Sequence, residues 1–265
     1  MLEKITPVIL TFNEAPNIGR TLEKLAWARD IVIVDSGSTD ATLAIAREYP
    51  QVRVFQRSFD THAAQWTYAI AETAIDTEWV LALDADYVLS DACVEEMSRL
   101  TPPTDVTGIE ARFVYCTAGK PLRGALYPPV TVLFRPRNAS FVQDGHTHRV
   151  RVAGRIARLE APIFHDDRKP LKHWLAAQRR YMKLEAEMLA PAAWRSLNWP
   201  DRVRALRVVA PPVVALYCLF GKGLILDGAP GIFYSLQRGY AEALLSYYLL
   251  RQDLRMSGRT ARGAR

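Results

Sequence analysis

Cysteine is scarce in this sequence. Cys93, Cys116 and Cys218 stand far apart in 265 residues and form no Cys-x-x-Cys pair. That excludes a disulfide framework and a thiolate zinc site, and it fits a reducing compartment. Also missing is an apolar run long enough to cross a bilayer, which takes roughly 20 residues. The longest candidate, VVAPPVVALYCLF at 208–220, has no charge but is broken by Pro211 and Pro212. It suits core packing or a helix lying in, or re-entering, a membrane interface. The opening MLEKITPVIL enters an apolar strand at once, without the apolar core and cleavage site of a signal peptide, so the expected location is cytoplasmic. Basic residues are scattered and no nucleic-acid module is recognisable, so no nucleic-acid partner is expected.

What is present reads as globular: 49% hydrophobic and 23% charged residues. Lys plus Arg number 34 against 28 acids, a net charge of +6, which by itself favours a phosphorylated ligand, an anionic membrane surface or nucleic acid. The first hundred residues alternate apolar runs (ITPVILTF, IVIVD, VRVF, WVLAL) with helical patterns at 15–28, 39–49, 61–74 and after Ser90. Nearly all-apolar strands alternating with helices predict a parallel α/β sheet, whose ligands bind beyond the carboxyl ends of the strands. Three strand ends are polar there: Thr11 to Glu14, Asp35 to Ser38, and Asp84-Ala85-Asp86.

After residue 101, prolines and shorter strands such as IEARFVY and VTVLFRPR predict mixed or antiparallel sheet. Residues 170–189 form a helix opened by Pro170. The expected organisation is a domain over 1–205, divided near residue 100 into a nucleotide-binding and an acceptor half. An apolar helical region at 206–250 follows, then a disordered basic tail at 251–265, rich in arginine and able to touch anionic lipid.

The string VLALDADYVL puts two acids, one residue apart, at the mouth of a buried strand. Such a pair repels itself and costs desolvation unless a cation or a reaction uses it. One reading is a phosphohydrolase of the haloacid-dehalogenase type with Asp84 as nucleophile, in which Asp166 and Asp167 become a second metal-binding pair. The other is a metal-binding Asp-x-Asp for a nucleotide-sugar diphosphate. Two polar strand ends come first here, whereas that phosphohydrolase pattern sits on the first strand.

The ordered strings VILTFNEAPNIGRTL, IVIVDSGSTDAT and LDAD resemble glycosyltransferase family 2, the inverting enzymes of GT-A fold. The pattern is most similar to the branch containing lipopolysaccharide-core β-glucosyltransferases, and it continues into KGLILDGAPG. The resemblance implies a Rossmann-like nucleotide-binding half with a mixed central sheet, plus C-terminal helices for which membrane association is open. It implies a UDP-sugar donor, a saccharide or lipid-linked acceptor, and Mn²⁺ or Mg²⁺ as cofactor at the inner face of a cell membrane. Asp86 becomes the direct metal ligand. Asp84 binds metal through water or holds the ribose, and His165 completes the metal shell. Asp35 accepts from the base, with Thr11, Asn13, Glu14 and Gln65 lining the nucleotide pocket. In FVQDGHTHRV the base is Asp144, or failing that His148, with His146 and Arg149 near diphosphate or acceptor. That branch carries His-Glu where Thr147-His148 stand here, so a degenerate, binding-only protein is a third reading. Trp66 and Thr67 replace the Lys and Asn common beside Gln65.

Overall fold

The computed structural model describes residues 1–144, 147–192 and 194–263, with side chains as far as residue 254 except at 144, 147 and 148. It divides into two compact units, Met1–Pro121 with Leu126–Lys169, and Leu122–Ala125 with Pro170–Arg265. The boundary expected at residue 205 falls inside the second unit, because the helix following Pro170 packs on the C-terminal helix.

In the first unit, strands β1 (Ile5–Thr11), β2 (Ile31–Asp35), β3 (Val52–Gln56) and β4 (Trp79–Asp84) alternate with helices α1 (Ile18–Glu23), α2 (Thr42–Ala46) and α3 (His62–Ala71). These strands pair in parallel. β1, β2 and β4 are buried on both faces along most of their length, which explains their continuous Val, Ile and Leu. Ile18 and Leu22 of α1 seal one face. Trp66 and Ala69 of α3 seal the other, so Trp66 is a core residue. Thr61 caps α3 by accepting from the Ala64 amide at 3.1 Å.

The chain continues through β5 (Tyr87–Leu89), α4 (Asp91–Arg99), β6 (Val106–Ala111), β7 (Phe113–Thr117), β8 (Lys120–Pro121) and β9 (Val130–Phe134). It closes the unit with β10 (Ala139–Asp144), β11 (Thr147–Val152), β12 (Arg155–Arg158) and β13 (Ile163–His165). The seven-stranded sheet has the order β12-β6-β9-β4-β1-β2-β3. β9 runs antiparallel to both its neighbours, which makes the sheet mixed. A smaller sheet, β5-β13-β7-β8, threads β13 between β5 and β7. β10 and β11 form an antiparallel hairpin.

The second unit is helical: α5 (Leu171–Leu189), α6 (Trp199–Ala205), α7 (Ala210–Leu216) extended by a wide turn Tyr217–Gly221, and α8 (Ala229–Gly263). The basic end is therefore helical to Gly263 rather than disordered from 251. It contains no proline, and Arg, Gln, Leu, Met and Ala are good helix formers, so charge alone does not stop the helix. The Asp-Gly and Gly of KGLILDGAPG make the turn into α8. Gly228 has φ +65°, and a Cβ on Gly231 would lie 1.9 Å from the Leu224 carbonyl oxygen.

Candidate active site

Register decides which side chains meet. Thr11 lies beside Asp35, and Leu10 beside Asp84, so the polar ends of β1, β2 and β4 line one carboxyl edge of the sheet. Asp35 is wholly buried there. It accepts from the Thr11 hydroxyl at 3.0 Å, from the Gly37 and Ser38 amides at 2.9 and 2.8 Å, and from the Ser38 hydroxyl. The Ser38 oxygen in turn accepts from the Asn13 amide at 2.8 Å, and the Asn13 side chain accepts from the Thr39 amide at 2.8 Å. Asn13 has φ +54°, a conformation Asn tolerates better than most residues.

This web presents Phe12, 55% exposed, at the rim. Sequence reasoning passed over Phe12, although a large aromatic between a buried Thr and a turn Asn is a legible signal. The acceptor sites of Asp35 are filled by the chain's own donors, so it reaches a base only if the Thr11 or Ser38 hydroxyl turns away. Gln65 is buried and occupied at both ends. Its amide nitrogen donates to Ser36 at 2.8 Å, and its oxygen accepts from Arg57 at 2.6 Å. It holds the turn after Asp35.

The acid pair occupies the turn from β4 into β5. Thr21 of α1 pins it by donating to the Ala85 carbonyl at 2.7 Å. Asp86 faces His165, with Nε2 and Oδ2 3.2 Å apart. The strand pairing causes this, since β13 sets His165 across from Tyr87 and next to Tyr115. Rings of Tyr87, Tyr115 and Tyr127 pack 4.8–5.2 Å from the imidazole. The Tyr87 hydroxyl donates to Asp84 and shares a short hydrogen bond with Tyr127. The Asp84 carboxyl is pushed up to about 6 by the protein around it and then by the charge of Asp86. Its side chain is open to solvent in the cleft, which screens part of that penalty. Asp86 is also crowded by protein, yet His165 and Lys169 hold it below the usual carboxylate range. Burial pulls His165 down, and the Asp86 and Asp84 charges more than reverse this.

Lys169 is a site residue that sequence reasoning missed. It donates to Glu14 at 2.6 Å. Burial pulls the Lys169 ammonium down, but Glu14 outweighs it and keeps it charged. Glu14 is pushed up to about 7, chiefly by burial, with Asp86 adding to the rise and Lys169 opposing it. The pair thus holds a cation firmly and an anion barely. Asp166 is buried and pairs with Arg20 at 2.8 Å and Arg168 at 2.7 Å. Asp167 accepts from Asn17 at 2.9 Å. These bonds tie the segment after β13 to α1, and they leave neither acid available as a second metal pair.

Three expected residues, Asp144, His146 and His148, lie outside the described side chains. The hairpin that carries them is anchored along β10. Phe141 stacks on Trp66 at 5.9 Å, and Gln143 accepts from the Ala63 amide at 3.2 Å. Arg149 sits on β11, exposed.

Asp84, Asp86 and His165 offer two carboxylates and an imidazole, a donor set suited to Mn²⁺ or Mg²⁺. His165 Nδ1 is buried without a hydrogen-bond partner, a cost that a fixed ring orientation must offset. Among the described residues no three such groups already stand close enough to enclose an ion. Only Asp86 and His165 are in contact, so the protein supplies at most part of a metal's ligands.

A mixed sheet with acids converging at its carboxyl edge is the architecture of the GT-A fold. The chain matches the glycosyl transferase family 2 profile over residues 6–139, just over half its length, and belongs to that family. It is a glycosyltransferase, and the phosphohydrolase reading is set aside. It is 26% identical over 213 residues to an uncharacterized glycosyltransferase of Rickettsia felis, covering 75% of this chain and 74% of that one. It is 30% identical over 105 residues to the lipopolysaccharide core biosynthesis glycosyltransferase LpsC of Rhizobium meliloti, covering 38% of each. Its fold is similar to that of S. aureus TarS 1–349 solved with UDP-GlcNAc, at TM-score 0.50 and 14% identity, over 96% of this chain and 92% of that one.

Proposed function

We propose that the protein transfers a sugar from a UDP-sugar, with inversion, to a lipid-linked or lipopolysaccharide-type saccharide at the cytoplasmic face of a membrane. The observation that carries this reading is the alignment of Asp35, Asp84 and Asp86 along one strand edge, with His165 against Asp86. The partial likeness to LpsC supports the acceptor class. In this reading Asp86 and His165 would hold Mn²⁺ or Mg²⁺, and Asp84 would join them through water or hold the ribose. A bound divalent ion would supply Lewis-acid stabilisation of the charge that builds on the departing diphosphate.

The chain's own groups do the rest. Phe12 stacks on the base, and Thr11 with the Asp35 web sets the depth of the pocket. Lys169, held charged, adds a fixed positive charge beside the acids. Asp144 removes the acceptor hydroxyl's proton, since a carboxylate is ionised at neutral pH without tuning; His148 is the second choice. The test is multiple turnover with UDP-glucose and UDP-N-acetylglucosamine on core saccharides, with the product anomer read by NMR. A β-linked product from these α-linked donors supports the proposal. Retention of configuration refutes the mechanism, and UDP binding without turnover on any acceptor favours the binding-only reading.

A further inference from the structure

The second unit carries its polarity the wrong way round for water. Between residues 206 and 250 every exposed residue lacks both charge and side-chain amide. Val208, Leu216, Phe220, Leu226 and Leu236 are 54–70% exposed. This is a local property, because α5 of the same unit shows Lys172, Arg179, Arg180, Lys183 and Glu187 to solvent in the ordinary manner. The charges near the apolar stretch turn inward or pair. Glu242, 1% exposed, accepts from Arg204 at 3.0 Å; Arg207 pairs with Asp253, and Arg123 with Asp227. Ser235 and Ser246 are buried on α8 and bond to backbone carbonyls. Monomeric soluble proteins rarely leave so continuous an apolar surface uncovered.

No single described helix is long and apolar enough to cross a membrane. The two segments that approach the requirement, Trp199–Ala205 and Arg207–Gly221, meet at 111°. A bend that sharp fits a broken or re-entrant segment seated at a membrane boundary rather than one straight span. Tyr217 and Tyr247 are exposed on this face, as amphipathic rings at a headgroup boundary would be. Just past the face, residues 251–265 hold five arginines and one aspartate. A second copy of the same end would bring those arginines five more arginines against one aspartate, whereas anionic phospholipid headgroups would bring phosphates.

We infer that the α7–α8 face is a monotopic membrane-docking surface, its apolar side chains seated in the headgroup–acyl boundary and its arginine-rich end on anionic lipid. This deepens the membrane-side acceptor proposed above and rests on that reading for its purpose. The test is cosedimentation of the full chain with phosphatidylethanolamine–phosphatidylglycerol vesicles, comparing the native protein with the variant Leu216→Glu, Phe220→Glu, Leu236→Glu. Each substitution removes the burial of a large apolar side chain, so partition should fall roughly tenfold per position. All three side chains are exposed, so the fold should survive, checked by circular dichroism and by UDP titration of the same samples. Vesicle binding lost while UDP binding persists supports the inference. Equal partition of both proteins overturns it, as does a native protein that ignores vesicles but dimerises through this face by light scattering. Vesicle binding without UDP affinity would leave the docking surface standing and refute the donor proposal instead.

Discussion

Adding Mn²⁺ together with UDP should raise the melting temperature of the protein, and Asp86→Asn should remove most of that rise. At ligand concentrations about 100 times the dissociation constant, binding stabilises the folded state by about 2.7 kcal/mol. For a domain of 150–250 residues each kcal/mol moves the midpoint by about 2–4 °C, giving a rise of about 5–10 °C. Asp86 is the residue to change because it faces His165 at 3.2 Å from a half-buried position, whereas Asp84 is open to solvent and bonded by Tyr87. If its loss weakens binding about 100-fold, the same ligand concentration leaves roughly 0.4 kcal/mol, about 1 °C. In EDTA the variant should melt close to the native protein, because relief of the repulsion with Asp84 offsets the lost partner of His165. Scanning fluorimetry reads all four conditions. A native shift below about 1 °C, or an equal shift in the variant, refutes the assignment of Asp86 as the metal-holding group.

Phe12→Ala should weaken UDP binding by about 1–3 kcal/mol, the usual worth of stacking on a base, without changing thermal stability, since the ring is already exposed. Calorimetric titration checks it, and unchanged affinity rules out the stacking role. Lys169→Met should be costly near pH 8 and cheap near pH 5.5. With Lys169 present the Glu14 acid stands at about 7, so the native pair is ionised in the first condition and Glu14 is protonated in the second. Removing Lys169, which lowers that acid, raises it further, so near pH 8 the variant must strand the charge or take up a proton. Stability therefore falls as pH rises through that range, by about 2–3 kcal/mol for a partly buried stranded charge. Urea denaturation at the two pH values measures it, and a pH-independent loss would mean that Lys169 acts through packing instead.

The strands of the first unit were legible because burial on both faces demands unbroken Val, Ile and Leu, and that demand is written residue by residue in IVIVD and WVLAL. Thr11, Asp35 and Asp84 were legible for a related reason. Parallel strands in register bring their carboxyl ends to one edge, so polar residues ending successive apolar runs must meet. Lys169 and Tyr127 were not, because their places depend on where β13 inserts and on a loop crossing from far along the chain. No local period encodes such an insertion. Gln65 was expected to line a nucleotide pocket, but its partners Ser36 and Arg57 come from two other segments, and only the fold shows that they occupy it. The C-terminal end misled because composition was read for disorder, whereas helix propensity without proline governs that segment.

The charge count at the strand edge makes a last requirement. Glu14, Asp84 and Asp86 face Lys169 and His165, and two of the three acids are held above their ordinary range. The edge therefore has no surplus positive charge to offer a nucleoside diphosphate, which brings further negative charge with it. A diphosphate approaching this edge alone meets carboxylates. A divalent cation reverses the balance, and the diphosphate in turn supplies oxygens that the protein's donor set lacks. Metal and nucleotide should thus bind with positive coupling, each raising the affinity of the other by the same factor. Typical coupling of about 1–3 kcal/mol corresponds to roughly 5–150-fold. Titrating UDP with and without Mn²⁺, and Mn²⁺ with and without UDP, measures both sides of that cycle. UDP affinity unaffected by EDTA would show that Lys169 and His165 alone satisfy the diphosphate, and the acid pair would then need another explanation.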